Sequence, residues 1–255
     1  MSFHVRVDPG NPGQFFACCG LFELAFRLKG DAAARFEGTR FVVEAGCALG
    51  DVVGPLSRIA LQQLDPEDNT ASPIGLPAPF GLVIDWWKDE ASGGRDLKVW
   101  AGRMESVRIA QAMVAALQEK PFADDLLNEG CVVYEPGGTK KVEPFYFDSR
   151  RAQNAHSRDI GFSPNDLSLT TTAFPAVEAL CLIGLQRFRP APTEQRRIYE
   201  YRAWAGALPI AVAPAVVAGA IPSFGSRTYR FENWYRTGQK KHKAFRPAVL
   251  IAKGE

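Results

Sequence analysis

The sequence predicts an α+β fold in which mixed or antiparallel strands pack with two or three prominent helices. Residues 12–29 and 175–188 have helical periodicity, and the C-terminal third alternates apolar and polar residues as antiparallel strands do. Hydrophobic residues make up 46% and charged residues 23% of the 255-residue chain, a balance typical of globular proteins. We expect one compact domain over residues 1–255, or two subdomains that meet near residue 128.

The first long helix is predicted with both of its ends. Asn11 suits the N-cap, Pro12 the first helical position and Gln14 the partner position of a capping box. Apolar residues occupy nearly every side of the helix, so we expect it to be buried all round. Gly20 costs about 1 kcal/mol relative to alanine in a helix, which indicates close approach by another backbone. Gly30 is expected to end the helix.

The remaining elements follow from shorter patterns. Further helices are expected over residues 52–64, capped by Asp51, and over residues 106–120. The proline-rich residues 65–79 are expected to form a loop. Strands 82–87, which include Trp86 and Trp87, and 97–100 are expected to pair with each other. The other expected strands are residues 3–7, 40–44, 131–134, 145–147, 198–204, 227–234 and 245–252.

Composition limits the classes of protein to be considered. No run of eighteen apolar residues exists, and the N-terminus lacks a basic segment followed by an apolar one, so we expect neither a membrane span nor a secretory signal. The five cysteines lie among apolar residues without CxxC spacing, which predicts buried thiols and a cytoplasmic location. We expect no metal and no cofactor.

Positive charge is unevenly distributed along the chain. Residues 1–127 have 12 lysines and arginines against 17 acids, a net charge of −5, whereas residues 128–255 have 18 against 11, a net charge of +7. A basic half beside an acidic half indicates a polyanion on one face and a protein neighbour on the other.

Two stretches concentrate these cations. The first is a polar stretch over residues 140–158 that leads towards the helix at 175–188, a fixed support of the kind that suits anion binding. The second is residues 223–246, where lysines and arginines alternate with aromatic residues, a pattern typical of nucleic-acid binding. The candidate nucleic-acid contacts are Lys140, Lys141, Arg150, Arg151, Asn154, His156, Arg158, Arg187, Arg189, Arg227, Arg230, Arg236, Lys240, Lys241, Lys243 and Arg246.

These candidates are expected to differ in role. Lys240, Lys241 and Lys243 are predicted on a polar hairpin tip, where lysine serves phosphate as a mobile point charge. Arg150 and Arg151 follow a predicted strand, so their guanidinium groups would be held firmly enough to read a base edge. The alternative for each stretch is structural: a solvated hairpin with core aromatics, and arginines paired with neighbouring acids such as Asp148 and Asp159.

Catalytic signatures are weak in this sequence. Asp148, His156, Asp159 and Asp166 could form a metal or acid–base group, but no HxxxH or DxD spacing supports one. The serines lack a GxSxG context, and the paired glycines are not followed by GK[ST]. We therefore expect no enzymatic activity.

Several blocks of the sequence resemble a known family. The blocks are NPGQFFACCGLFEL (11–24), PFYFDSRR (144–151), DIGFSP (159–164) and GLQRFRP (184–190). The first is similar to the start of small type I-U (I-G) CRISPR-associated proteins, and the others are similar to the compact large subunit of that subtype. The resemblance covers both halves of the chain, about residues 7–30 and 140–190.

The resemblance implies a non-catalytic subunit of an RNA-guided surveillance complex, Cascade, that acts in antiviral defence. Its implied partners are CRISPR RNA, target DNA, the backbone and RNA-processing subunits, and a recruited helicase-nuclease. Its implied role is target-adjacent motif (PAM) recognition and opening of the target duplex. Two alternatives remain open from the sequence. One is a CRISPR-linked or defence nuclease that uses Asp148, His156 and Asp159, and the other is a protein-only scaffold.

Overall fold

The computed structural model describes residues 1–91, 93–151, 172–235 and 243–251. Helices and antiparallel sheets combine in an α+β fold, which confirms the predicted class. Within the described residues, the α-helices are α1 (Pro12–Lys29), α2 (Leu49–Ser57), α3 (Gly94–Leu97), α4 (Ser106–Ala115), α5 (Pro175–Arg187) and α6 (Ala213–Val217). Short 3-10 helices lie at Trp86–Lys88, Ala116–Glu119, Leu126–Asn128 and Ser149–Arg151.

The strands of the described residues form three antiparallel sheets. The first has the order β1 (Ser2–Arg6), β3 (Arg40–Glu44), β2 (Ala33–Glu37), β9 (Leu208–Pro209). In the second, β10 (Arg227–Tyr235) pairs with β8 (Ile198–Ala203) on one edge and with β11 (Lys243–Phe245) and β12 (Val249–Ile251) on the other, while β7 (Ala191–Pro192) pairs with β8. The third comprises β4 (Gln62–Gln63), β5 (Ile74–Leu76) and β6 (Leu82–Ile84).

Helix α1 begins and ends where the sequence predicts. The Asn11 side chain accepts hydrogen bonds from Gly13 N and Gln14 N, and Gly30 closes the helix in a left-handed conformation with φ 75°. Gln14, however, is not the predicted capping-box partner. Its Oε1 accepts from Asp8 N at 2.7 Å, so it fixes the entering chain instead of the N-cap.

Helices α1 and α5 cross with their backbones in contact, as Gly20 predicts. A Cβ on Gly20 would lie 2.1 Å from Leu180 O, and a Cβ on Gly184 would lie 2.0 Å from Phe16 O. Real Cβ atoms do not approach other atoms so closely, so any side chain at either position must displace a helix backbone. Both helices belong to one core cluster of buried residues that runs from Phe3 to Phe245.

Several predicted boundaries are wrong. Helix α2 starts at Leu49, not at residue 52, because the Asp51 carboxylate turns back to accept from Ala48 N at 2.8 Å and so lies in the first turn. Strand β6 pairs with β5, inside the predicted loop, and not with residues 97–100. Leu97 ends α3, while Trp86 and Trp87 lie on a 3-10 helix.

The predicted strands at residues 131–134 and 145–147 are also wrong. Only single bridges form in this described part of the chain, Cys131 with Ala173 and Tyr134 with Lys141. The N–H of Phe147 donates to the Glu178 carboxylate at 3.3 Å instead of to a neighbouring strand. Strand β2 is an element that the sequence does not predict.

No helix among the described residues is both long and apolar enough to cross a lipid bilayer.

The helix crossing generates a stability prediction. Gly20→Ala should lower the free energy of unfolding by roughly 1–3 kcal/mol, because the added methyl forces the two backbones apart and overpacks the core. Chemical denaturation measures the change. Gly206→Ala is the matched control, since a Cβ there meets no atom within 4 Å. Equal midpoints for the two variants would show that the helices do not cross in this way.

Candidate nucleic-acid interface

The blocks at 11–24 and 144–151 meet in a buried polar joint. Asn11 Nδ2 donates to Asp148 Oδ1 at 2.9 Å, and Ser149 N donates to Asn11 Oδ1 at 3.1 Å. Glu178, on α5, accepts from Phe147 N and from Asp148 N at 3.1 Å. Both carboxylates are fully buried. The joint ties the start of α1 to α5 through side chains that satisfy backbone N–H groups otherwise left without partners.

Arg150 completes this joint instead of projecting from it. Its Nε and Nη2 donate to Asp148 at 2.9 and 2.6 Å, Nη2 also donates to Leu127 O at 2.8 Å, and Nη1 donates to Asn128 Oδ1 at 3.0 Å. The guanidinium also stacks 3.4 Å from the centroid of the Phe174 ring. Arg150 is therefore held firmly, as predicted, but by partners within the chain, which is the structural alternative for this residue.

Other predicted contacts are also paired. Arg187 forms a two-pronged pair with the buried Glu23, which pairs with Arg27 as well. The remaining paired cations are Arg189 with Asp89 (2.7 Å), Arg230 with Glu200 (2.9 Å), Arg246 with Glu232 (3.1 Å) and Lys140 with Glu135 (3.7 Å). The cations Arg230, Arg246 and Lys140 are largely exposed, so each of their pairs adds little to stability and leaves the cation accessible to a stronger anion.

Lys243 does not lie on a polar tip, and that prediction is wrong. Its side chain is buried, and Nζ donates to Arg95 O at 2.9 Å and to Asp96 O at 3.2 Å. Burial lowers the pKa of Lys243 to about 8, although Asp96 acts in the opposite direction. Strand β11 places this residue against the segment 95–96, so its ammonium group supports that segment instead of reaching solvent.

The remaining predicted contacts are either exposed on the surface or outside the described residues. Lys141 and Arg227 are exposed on the surface. Asn154, His156, Arg158, Arg236, Lys240 and Lys241 lie outside the described residues, as does the side chain of Arg151.

A basic cleft lies elsewhere, on residues that the sequence does not predict as contacts. Its volume is about 570 Å³. It is lined by Asp68, Ala71, Trp87, Lys88, Arg95 and Lys98. The cations belong to residues 1–127, which have a net charge of −5. The net charge of this half therefore gives no indication of a basic site. The signal that could have found them is the placement of Lys88 and Lys98 beside Trp87 and Trp100.

Tryptophan side chains fix the wall of this cleft. Trp87 Nε1 donates to Ala71 O at 2.7 Å, and Trp100 Nε1 donates to Thr70 O at 2.8 Å, so the loop before β5 is tied to the aromatic cluster. Asp68 accepts from Ala71 N at 2.8 Å and from Thr70 N at 3.2 Å. Burial alone would raise the pKa of Asp68, but these hydrogen bonds and the nearby lysine outweigh burial and lower it.

The cations of the cleft differ in how firmly they are paired. Lys88 lies 3.5 Å from the carboxylates of Asp65 and Asp68, and Arg95 pairs at 3.1 Å with Glu90 on an exposed surface. Lys98 lies 5.1 Å from the Trp100 ring centroid and has no ion pair among the described residues. Burial lowers the pKa of Lys98, with Asp68 opposing and Arg95 reinforcing the shift. A partly desolvated amine next to another cation is a position that a bound anion would stabilise.

No group of three or more His, Cys, Asp or Glu side chains suited to a metal ion occurs in the described part of the chain. Asp148 is surrounded by donors within the joint, and His156 and Asp159 lie outside the described residues. Comparison of the chain with protein-family models, with curated proteins and with solved structures found no match.

The pairing of Arg150 leads to a prediction that separates stability from binding. Arg150→Gln should lower the free energy of unfolding by roughly 1.5–3 kcal/mol, the range for hydrogen bonds to charged groups, because the buried Asp148 loses its counter-ion. Arg40→Gln is the control, since Arg40 pairs with Glu37 at 3.5 Å on the surface and should cost under about 1 kcal/mol. Unaltered stability together with weakened nucleic-acid binding would assign Arg150 to the interface instead.

Proposed function

We propose that this protein is a non-catalytic, nucleic-acid-binding subunit of a type I-U (I-G) CRISPR surveillance complex, in the position of its compact large subunit. Its partners would be CRISPR RNA, target DNA, the other Cascade subunits and the helicase-nuclease that the complex recruits. Its contribution to antiviral defence would be recognition of the target-adjacent motif and R-loop formation. The proposal includes a cytoplasmic location.

Besides the resemblance of short sequence blocks, one structural observation supports this proposal. The block 11–24 contacts the blocks 144–151 and 184–190, although these begin more than a hundred residues further along the chain, and the block 159–164 lies outside the described residues. Asn11 bonds Asp148, Gly20 meets Gly184 and Glu23 pairs with Arg187. Residues that must fit each other are expected to occur together, which supports treating these blocks as one unit of the resemblance.

The charge distribution supports the nucleic-acid part of the proposal. The basic cleft has three cations around Asp68, whose Oδ1 already accepts from backbone N–H groups. The exposed Arg227 lies on β10, in the aromatic and basic stretch of the C-terminal third. Exposed cations suit a phosphate backbone, whereas the neighbouring aromatic residues Trp87, Tyr229 and Phe231 are buried in the core.

Within the part of the chain that the structure describes, Asp148 does not favour the nuclease alternative, because both of its carboxylate oxygens accept hydrogen bonds within the buried joint. The protein-only scaffold differs from the proposal in one measurable way, which is the presence of RNA in the purified assembly.

Purification from native cells tests the proposed function. The tagged protein should co-purify with other CRISPR-associated subunits and with RNA of discrete length that shares repeat-derived ends, because each complex is assembled on one guide. Sequencing of the extracted RNA provides the measurement, and an untagged strain is the control. Recovery of protein partners without enriched RNA would contradict the proposal and favour the scaffold. Recovery of neither would contradict both.

A further inference from the structure

The basic cleft is large enough for a small ligand. Its volume of about 570 Å³ lies within the range of about 300–1,000 Å³ that is typical of small-molecule sites. Lys88, Arg95 and Lys98 supply positive charge on its rim, while Ala71 and the aliphatic parts of the lysine side chains supply apolar surface over Trp87, which is only 2% exposed. A matching ligand has an anionic group attached to a flat or apolar body.

The cations are available to such a ligand at small cost. The pair between Arg95 and Glu90 is exposed, and the side chain of Arg95 is 76% accessible. The contacts of Lys88 with Asp65 and Asp68 are long, at 3.5 Å, and also exposed. Pairs of this kind contribute little and exchange readily for a doubly charged or multidentate anion.

Lys98 provides stronger evidence for a bound anion than Lys88 or Arg95 does. Its aliphatic stem and amine lie half-buried over the Trp100 ring, and the described residues offer it no ion pair. An unpaired cation in a partly desolvated position is unfavourable unless a ligand or another group compensates it. The compensation supplied by Asp68 is shared with Lys88 and with two backbone N–H groups.

We propose that this cleft holds one nucleotide of a single nucleic-acid strand, with its phosphate against Lys88, Arg95 and Lys98 and its ring against the apolar surface at Ala71. The assignment deepens the proposed function and rests on it for the identity of the ligand as a strand. A nucleotide in a stacked duplex cannot present its ring to a concave site, so an unpaired nucleotide is the form that fits. A free nucleotide has the same chemistry, and competition with AMP distinguishes the two sources.

Fluorescence anisotropy with the full chain and a fluorescein-labelled octathymidylate tests the site. The double variant Lys98→Met with Arg95→Gln should bind at least about tenfold more weakly, because it removes two charge-assisted contacts. The slope of log K against log salt should fall by about 0.7 for each cation removed. Arg40→Gln, which removes one charge on β3 outside the lining of the cleft, should bind as the parent does.

The double variant is expected to fold, since Met fills the volume of a half-buried Lys98 without its charge and Arg95 is exposed. Its melting temperature provides the check, and Arg95→Gln alone should show a smaller loss of the same sign if the double variant is unstable. Parent-like binding by Arg95→Gln and by a folded double variant would overturn the site while leaving the proposed function intact.

Two further outcomes would overturn the proposal, and a third is the result expected. Absence of binding by the parent chain, alone and in its purified complex, would overturn both the site and the proposed nucleic-acid contact. Competition by AMP with an affinity equal to that of the octathymidylate, lost in the same double variant, would assign the cleft to a free nucleotide and overturn its assignment to a strand. Weak competition by AMP, at least about a hundredfold poorer than the strand, is the result that the proposal predicts, since a strand adds contacts beyond one phosphate.

Discussion

The contact between the backbones of α1 and α5 is the constraint on which the rest of the structure depends. Gly20 and Gly184 let the two helices approach until the position of a Cβ on either would overlap a carbonyl oxygen of the other. Helix α1 also packs against both the first and the second sheet. Phe15 stacks on Phe36 of the first sheet with centroids 5.0 Å apart, and packs on Tyr201 of the second sheet at 4.3 Å. A displacement of α1 would therefore disturb both sheets together.

The close crossing also accounts for the charged groups in the core. Glu23 and Glu178 are buried because they belong to helices that are enclosed on nearly every side. Each has defined partners, Arg27 and Arg187 for Glu23 and two backbone N–H groups for Glu178. Burial of a carboxylate is tolerated only with such compensation, since an unpaired buried charge is strongly destabilising. Arg150 and Arg187 of the resembling blocks accordingly stabilise the fold, because each pairs with a buried carboxylate.

The sequence predicts local features such as helix ends well, but it predicts contacts between residues distant in sequence poorly. The ends of α1 follow from Asn11, Pro12 and Gly30, whose effects are confined to neighbouring backbone groups. The close approach at Gly20 is also predictable, because a helix that is apolar all round must pack against other elements and glycine leaves room for a backbone. The partner of Arg150 is not, because acids and phosphate both attract a guanidinium group and the sequence does not show which one lies nearby. Lys243 is wrongly predicted because strand register, and not composition, decides which side chains of a hairpin face the core.

The sequence also fails to predict the basic cleft. Its cations are separated along the chain and come together only through the folding of the loops around Trp87 and Trp100. Nucleic acid is proposed to contact the protein at this cleft, whereas Arg150 stays within the buried polar joint. Chemical modification distinguishes these two sites. Acetylation of lysines in the presence and absence of a bound oligonucleotide, read by mass spectrometry, tests the claim most directly. Lys88 and Lys98 should be protected by the oligonucleotide, whereas the exposed Lys29 at the end of α1 should react at an unchanged rate. Unchanged reaction of Lys88 and Lys98 when the oligonucleotide is bound would contradict it.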